Sequence, residues 1–146
     1  MLYIGIGAGV LVLILLFILL KRRQDEFESK FLEKYNAKNI RYVDKTAFLA
    51  AQKSKGHAQT RGMGYLVLTD DRLSFEMQLF DRSIEIPLEN ITHIGETRRM
   101  GGKSTGKLWL EVGFTDAHGS EDALALSVKD LPFWKNGLEK ALREKD

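Results

Sequence analysis

Residues 1–20 contain no ionisable side chain except Tyr3, and the run LYIGIGAGVLVLILLFILL is nearly all aliphatic. A helix of that length rises roughly 30 Å, the thickness of a bilayer's hydrocarbon core. It also satisfies its own backbone hydrogen bonds, which lipid cannot do. A buried core helix would seldom lack polar residues on every face. A cleaved signal peptide would place basic residues before a shorter apolar run and a small-x-small site after it. Here Lys21-Arg22-Arg23 follow the run directly and nothing basic precedes it. Residues 1–20 are therefore expected to form an uncleaved transmembrane anchor. Because Lys and Arg stay on the cytoplasmic side, the triplet predicts the N-terminus outside and residues 21–146 inside, at the inner or plasma membrane. Gly5 and Gly9 form a GxxxG pair, a candidate face for a helix homodimer, although glycine is common in transmembrane helices generally.

Residues 21–38 read as a juxtamembrane helical linker. The stretch QDEFESKFLEKYNAK has no Gly or Pro and is rich in helix formers. Phe27, Phe31 and Tyr35 recur every four residues with Leu32 beside them, so one face is apolar. Such a helix either continues the anchor or lies along the headgroups, its stripe facing lipid or the soluble domain.

From residue 39 the period changes from helical to two. A first long strand runs from Ile40 through Tyr42 to Ala51, and the polar stretch Lys53–Arg61 is a loop. Gly64–Thr69 is a second strand, turned at Asp70-Asp71 into a third, where Leu73, Phe75, Met77 and Leu79 face one way and Ser74, Glu76 and Gln78 the other. After Asp81-Arg82, Ile84 and Ile86 mark a fourth strand that stops at Pro87, which cannot donate to a ladder. Ile91 and Ile94 mark a fifth, and Arg98–Lys107 is a flexible basic loop. Leu108, Leu110, Val112 and Phe114 mark a sixth, and Leu124, Leu126 and Val128, after a turn at Asp116–Gly119, a seventh. Asp130 is placed to cap a last helix, with Pro132 tolerated in its first turn. The stripe Trp134, Leu138, Ala141 and Leu142 can seal one side of the sheet. The fold class is all-β, α+β overall: seven antiparallel strands in a barrel or sandwich with a closing C-terminal helix, residues 39–146.

Two stretches carry a family likeness. Gly64, Leu66, Leu68 and Thr69 form a Gly-x-Leu-x-Leu-Thr hairpin, and Ile86, Pro87, Leu88 and Ile91 an Ile-Pro-Leu-x-x-Ile corner. This resembles the pleckstrin-homology (PH) superfold, in its GRAM-type and bacterial PH-like branch. The whole chain is similar to short uncharacterised bacterial single-pass membrane proteins, through Phe48, Ser54-Lys55-Gly56 and Gln59-Thr60-Arg61-Gly62. The resemblance implies a fold and transfers no activity.

Enzyme chemistry has little support in the residues. His57, His93 and His118 have no second ligand at helical metal spacing, and cysteine is absent, so no metal or cofactor is expected. Ser54, Ser104 and Ser120 lack a nucleophile-elbow context, and Asp70-Asp71 reads as a turn former. Gly101-Gly102-Lys103-Ser104 imitates the end of a P-loop, but Thr97 stands where the motif's first glycine belongs and a strand pattern follows. The net charge of +2 is too small to argue for nucleic acid, and the lack of aromatics among the basic residues and the expected membrane tether work against it.

Two acid-free, glycine-containing loops carry the basic residues: Lys53, Lys55, His57 and Arg61 in one, Arg98, Arg99, Lys103 and Lys107 in the other. Glycine-rich backbone beside Lys and Arg suits anionic headgroup oxygens, whereas loop cations are also the ordinary furniture of a solvated surface. The PH resemblance implies that these loops come together. The expected function is thus a non-catalytic, membrane-tethered binding module for anionic lipid headgroups or a membrane-proximal protein. The alternative is a protein–protein adaptor or assembly subunit of a membrane complex.

Overall fold

The computed structural model of the chain describes residues 2–36, 39–55, 61–78 and 82–145. Expectations placed on Ala37, Lys38, Gly56, His57, Gln59, Thr60, Leu79 and Asp81 lie outside the described residues. The chain divides into two compact units, Met1–Ala37 and Lys38–Asp146.

The first unit is one helix, α1, Leu2–Tyr35, of 34 residues, roughly 51 Å long at 1.5 Å per residue. Residues 21–35 continue the apolar helix, since no Gly or Pro between Leu20 and Tyr35 interrupts the hydrogen-bond ladder. Its aromatic stripe is ordered by i, i+4 packing: the Phe31 and Tyr35 rings lie 4.8 Å apart. Among the described residues α1 is the one helix long and apolar enough to cross a membrane.

The second unit is built from seven antiparallel strands: β1 (Ile40–Gln52), β2 (Gly62–Thr69), β3 (Arg72–Met77), β4 (Ser83–Pro87), β5 (Ile91–Thr97), β6 (Trp109–Thr115) and β7 (Glu121–Ser127). Helix α2, Leu131–Lys145, follows. The order β4-β3-β2-β1-β7-β6-β5 places the consecutive strands β4 and β5 at opposite edges of the sheet. Only the 3₁₀ turn Leu88–Asn90 joins them, so the sheet must curl until its two edges meet at that corner. Pro87 ends the β4 ladder there, and Leu88 turns inward, 2% exposed. α2 packs on β5, β6 and this corner. Asp130 caps it as expected, its carboxylate accepting from the Phe133 N–H at 3.1 Å.

The main core lies inside the curl. Leu66, Leu68, Leu73, Phe75, Leu110 and Leu126 come from the strands, and Trp134 and Leu138 from α2. Gly64 is required by packing, because a Cβ there would lie 2.1 Å from the Glu76 carbonyl oxygen across the β2–β3 ladder. Bulges reconcile the core with the sequence. Ile91 and Ile94 are three apart and would face opposite sides of a regular strand. An irregularity between Ile91 and His93 on β5 absorbs the odd residue, and both side chains pack on the core. A second bulge, between Asp44 and Ala47 on β1, is held by the buried Asp44 carboxylate. One oxygen accepts from the Thr46 N–H and hydroxyl, both at 2.8 Å, and the other from the Lys129 N–H at 2.8 Å.

Some expectations need correction. Leu108 precedes β6 and is exposed, and β6 begins at Trp109, which is buried on the opposite face from Leu110. On the polar side of β3, Ser74 is buried and Glu76 half-buried. β7 ends at Ser127, with Val128 packing on the core just beyond it.

Candidate functional site

A second cluster forms on the outer face of the sheet. A bulge between Leu49 and Ala51 on β1 turns Ala51 away from the main core to join Ala50. With Ala123 and Ala125 of β7 these make a floor of small side chains under Trp109, and Met100 and Phe48 pack beside it. Four methyl groups leave room for one indole, which is 1% exposed. A bulky residue at any of the four would displace it.

The expected flexible loop Arg98–Lys107 is tethered to this cluster. Met100 and Lys103 exchange both backbone hydrogen bonds, at 3.0 and 2.9 Å. Gly101 and Gly102 between them have φ of 56° and 77°, the positive values of a two-residue type I′ turn. This hairpin carries Met100 into the cluster, 6% exposed. Arg98 donates from Nη1 to the Gly106 carbonyl at 2.9 Å, closing the loop on itself.

The other basic stretch opens with a 3₁₀ turn, Lys53–Lys55. It is acid-free in sequence but not in space, because Asp122 of β7 lies against it. One Asp122 oxygen accepts from the Ser54 N–H at 2.9 Å and the Ala123 N–H at 2.8 Å. The other accepts from Gln52 Nε2 at 2.8 Å and the Ser54 hydroxyl at 2.7 Å. Burial pushes this carboxyl up, but the hydrogen bonds from Ser54, Gln52 and the two backbone N–H groups outweigh it and hold its pKa below the ordinary 3.8. The negative charge therefore persists beneath Lys53 and Lys55, which remain exposed.

Arg61 and Lys107, the last cations of the two stretches, line one pocket of about 220 Å³. Phe48, Ala50 and Trp109 supply its apolar wall, and Thr105 and Ser127 its hydroxyls. The Arg61 guanidinium lies over the Phe48 ring, 5.7 Å from its centroid. Its Nε is buried and has no hydrogen-bond partner among the described residues. Lys53, Lys55, Arg98, Arg99 and Lys103 do not line this pocket.

The remaining candidates are dispersed. Lys21, Arg22 and Arg23 are exposed on α1, and Gly5 and Gly9 have nothing within 4 Å of where a Cβ would sit. His93, on β5, has Nε2 3.6 Å from a Glu111 carboxylate oxygen, and His118 donates its backbone N–H to Asp116 in the β6–β7 turn. Sequence reasoning missed Trp109, Met100 and Asp122. The available signal was a tryptophan out of phase with Leu110 and Val112, in a chain that offers Ala50-Ala51 on one strand and Ala123 and Ala125 on another.

No family model matches the sequence, and no curated protein matches it. Solved structures share its fold. The C-terminal domain of an unknown protein from Leishmania infantum superposes with a TM-score of 0.53 at 15% identity, covering 79% of this chain and 96% of that one. The Vps36 N-terminal PH domain gives 0.52 at 15%, covering 75% and 82%. A chain of the 8S snRNP assembly intermediate gives 0.53 at 11%, covering 73% and 80%. The seven-stranded sheet with its closing helix is PH-like.

Proposed function

We propose that the protein is a non-catalytic, membrane-tethered PH-like binding module that engages anionic lipid headgroups at the cytoplasmic face of the cell membrane. In this reading residues 1–20 span the bilayer, residues 21–38 form a helical stalk and residues 39–146 the binding domain. Lys21-Arg22-Arg23 set the topology, and Gly5 and Gly9 offer a dimer face. Within PH-like folds, the GRAM-type bacterial branch accounts for the Gly64 hairpin and the Pro87 corner.

The observation that carries the lipid reading is the pocket on which Arg61 and Lys107 converge. Lys53, Lys55, Arg98, Arg99 and Lys103 add a basic surface in the same two stretches. Each cation near an acidic leaflet contributes about 1 kcal/mol, fading within a Debye length of about 8–10 Å. Such contacts are weak for a free domain and become effective when an anchor makes them intramolecular.

Residues 39–146 hold all seven strands and the main core, so this fragment can be tested on liposomes of graded anionic content. Binding rises with anionic lipid, falls with salt, and drops most when Arg61 and Lys107 are neutralised together, with a smaller drop when Lys53, Lys55, Arg98 and Arg99 are. Equal binding to neutral liposomes, or none to acidic ones at low salt, sinks the lipid reading.

A protein adaptor is the second reading. A depression of about 320 Å³ where α2 begins is flanked by Val43 and Phe133, which are 41% and 46% exposed. Exposed apolar side chains beside Lys45 and Lys129 suit a short amphipathic segment of a partner.

A further inference from the structure

We propose that the pocket between Arg61 and Lys107 is a seat for a single phosphate monoester, and that this seat gives the domain selectivity among anionic surfaces. This deepens the lipid reading and rests on it. The loop cations are not equivalent. Lys53 and Lys55 ride on a turn whose backbone is pinned by the Asp122 carboxylate, so part of their field is offset. Arg98 donates to its own loop at Gly106. Arg61 and Lys107 share a pocket that has no carboxylate among its described lining residues.

Arg61 supplies the stronger argument. A buried N–H without an acceptor is costly, and few persist in folded proteins without a role. The face of Phe48 supports the guanidinium, and a supported guanidinium presents its donors as a fixed fork that matches tetrahedral oxyanions. Thr105 and Ser127 add hydroxyl donors, and the Lys107 ammonium a second charge. A phosphate monoester carries about −1.5 to −2 charges and three terminal oxygens, which suits two cations and two hydroxyls. A diester carries one charge and two free oxygens and leaves donors unmet. The volume, about 220 Å³, is roughly seven times the ~30 Å³ share of a liquid water. It admits a phosphoryl group and the first atoms that carry it.

The test uses the full chain in zwitterionic micelles, reading the Arg61 Nε–H signal by NMR. The probes are short-chain phosphatidic acid, inorganic phosphate and short-chain phosphatidylserine, the last as the diester control at matched total charge. Phosphatidic acid should shift the signal saturably, and Lys107→Gln should weaken it about tenfold, the cost of one charge-assisted hydrogen bond. In Arg61→Gln and Arg61→Lys, backbone amides around Thr105 and Ser127 report binding. Both should weaken it by about tenfold or more with the spectrum otherwise dispersed as in the parent, because Lys keeps the charge and loses the fork. Saturation by inorganic phosphate without phosphatidic acid binding would keep the seat and defeat the lipid reading. Wild-type binding by Arg61→Lys, equal response to phosphatidylserine, or no response to any probe would overturn the seat. The first two would leave lipid binding by surface charge intact.

Discussion

The inner and outer faces of the sheet each bury a tryptophan, by opposite means. Inside, Trp134 arrives on a helix and meets large aliphatic and aromatic side chains from all parts of the barrel. Outside, Trp109 lies on four alanines and is flanked by a methionine that a two-residue hairpin delivers. The inner core closes the barrel, so its energy belongs to the whole fold. The outer cluster holds one loop and the wall of one pocket, so its energy belongs to the site. Burial of the same residue type thus serves stability on one face and positioning on the other.

The largest effect should come from the inner face. Trp134→Ala removes the side chain that joins α2 to the sheet and should cost about 3–5 kcal/mol, read as a loss of melting temperature in residues 39–146. A melting curve that does not move would mean that α2 does not close the core.

A smaller and more local effect is expected outside. Ala125→Leu forces a branched side chain under Trp109 and should cost about 1–3 kcal/mol. Hydrogen exchange should speed up at Met100 and Lys103, where the hairpin bonds lie, while the amides of β2 and β3 keep their protection. Uniform loss of protection would erase the distinction between the faces.

The smallest effect is a pH dependence at the rim of the outer cluster. The folded pKa of Asp122 is depressed, so its contribution is present above the ordinary carboxylate value of 3.8 and is lost as pH falls through the folded pKa. Stability measured from pH 7 downwards should hold until about pH 4 and then decline. Asp122→Asn should flatten part of that decline and loosen the turn at Ser54. An unchanged acid limb would mean that the four hydrogen bonds are not kept in solution.

The sequence was informative wherever one face of an element was buried against a uniformly large core. Leu66, Leu68, Phe75, Leu110, Val112 and Leu126 announced their strands by period, and Trp134, Leu138 and Ala141 announced the closing helix. The corner at Pro87 and the cap at Asp130 were legible because proline and aspartate act through local backbone chemistry. The site was less legible. Arg61 and Lys107 could be named as cations, but 46 positions separate them in the chain. Asp122 looked like one more acid before a strand, although it pins a turn 68 residues away.

By itself, then, the sequence determined the apolar N-terminal helix, the seven-strand pattern and the helix that seals it, because backbone hydrogen bonding and side-chain period are local. Tertiary structure alone decided which loop cations share a pocket, that an acid lies under Lys53 and Lys55, and that alanines on two strands make a bed for Trp109. Each of these depends on pairings between strands far apart in the chain, and the alanine bed also on a bulge that shifts register by one residue. A bulge leaves almost no trace in composition, yet it reverses the face on which every following side chain lies.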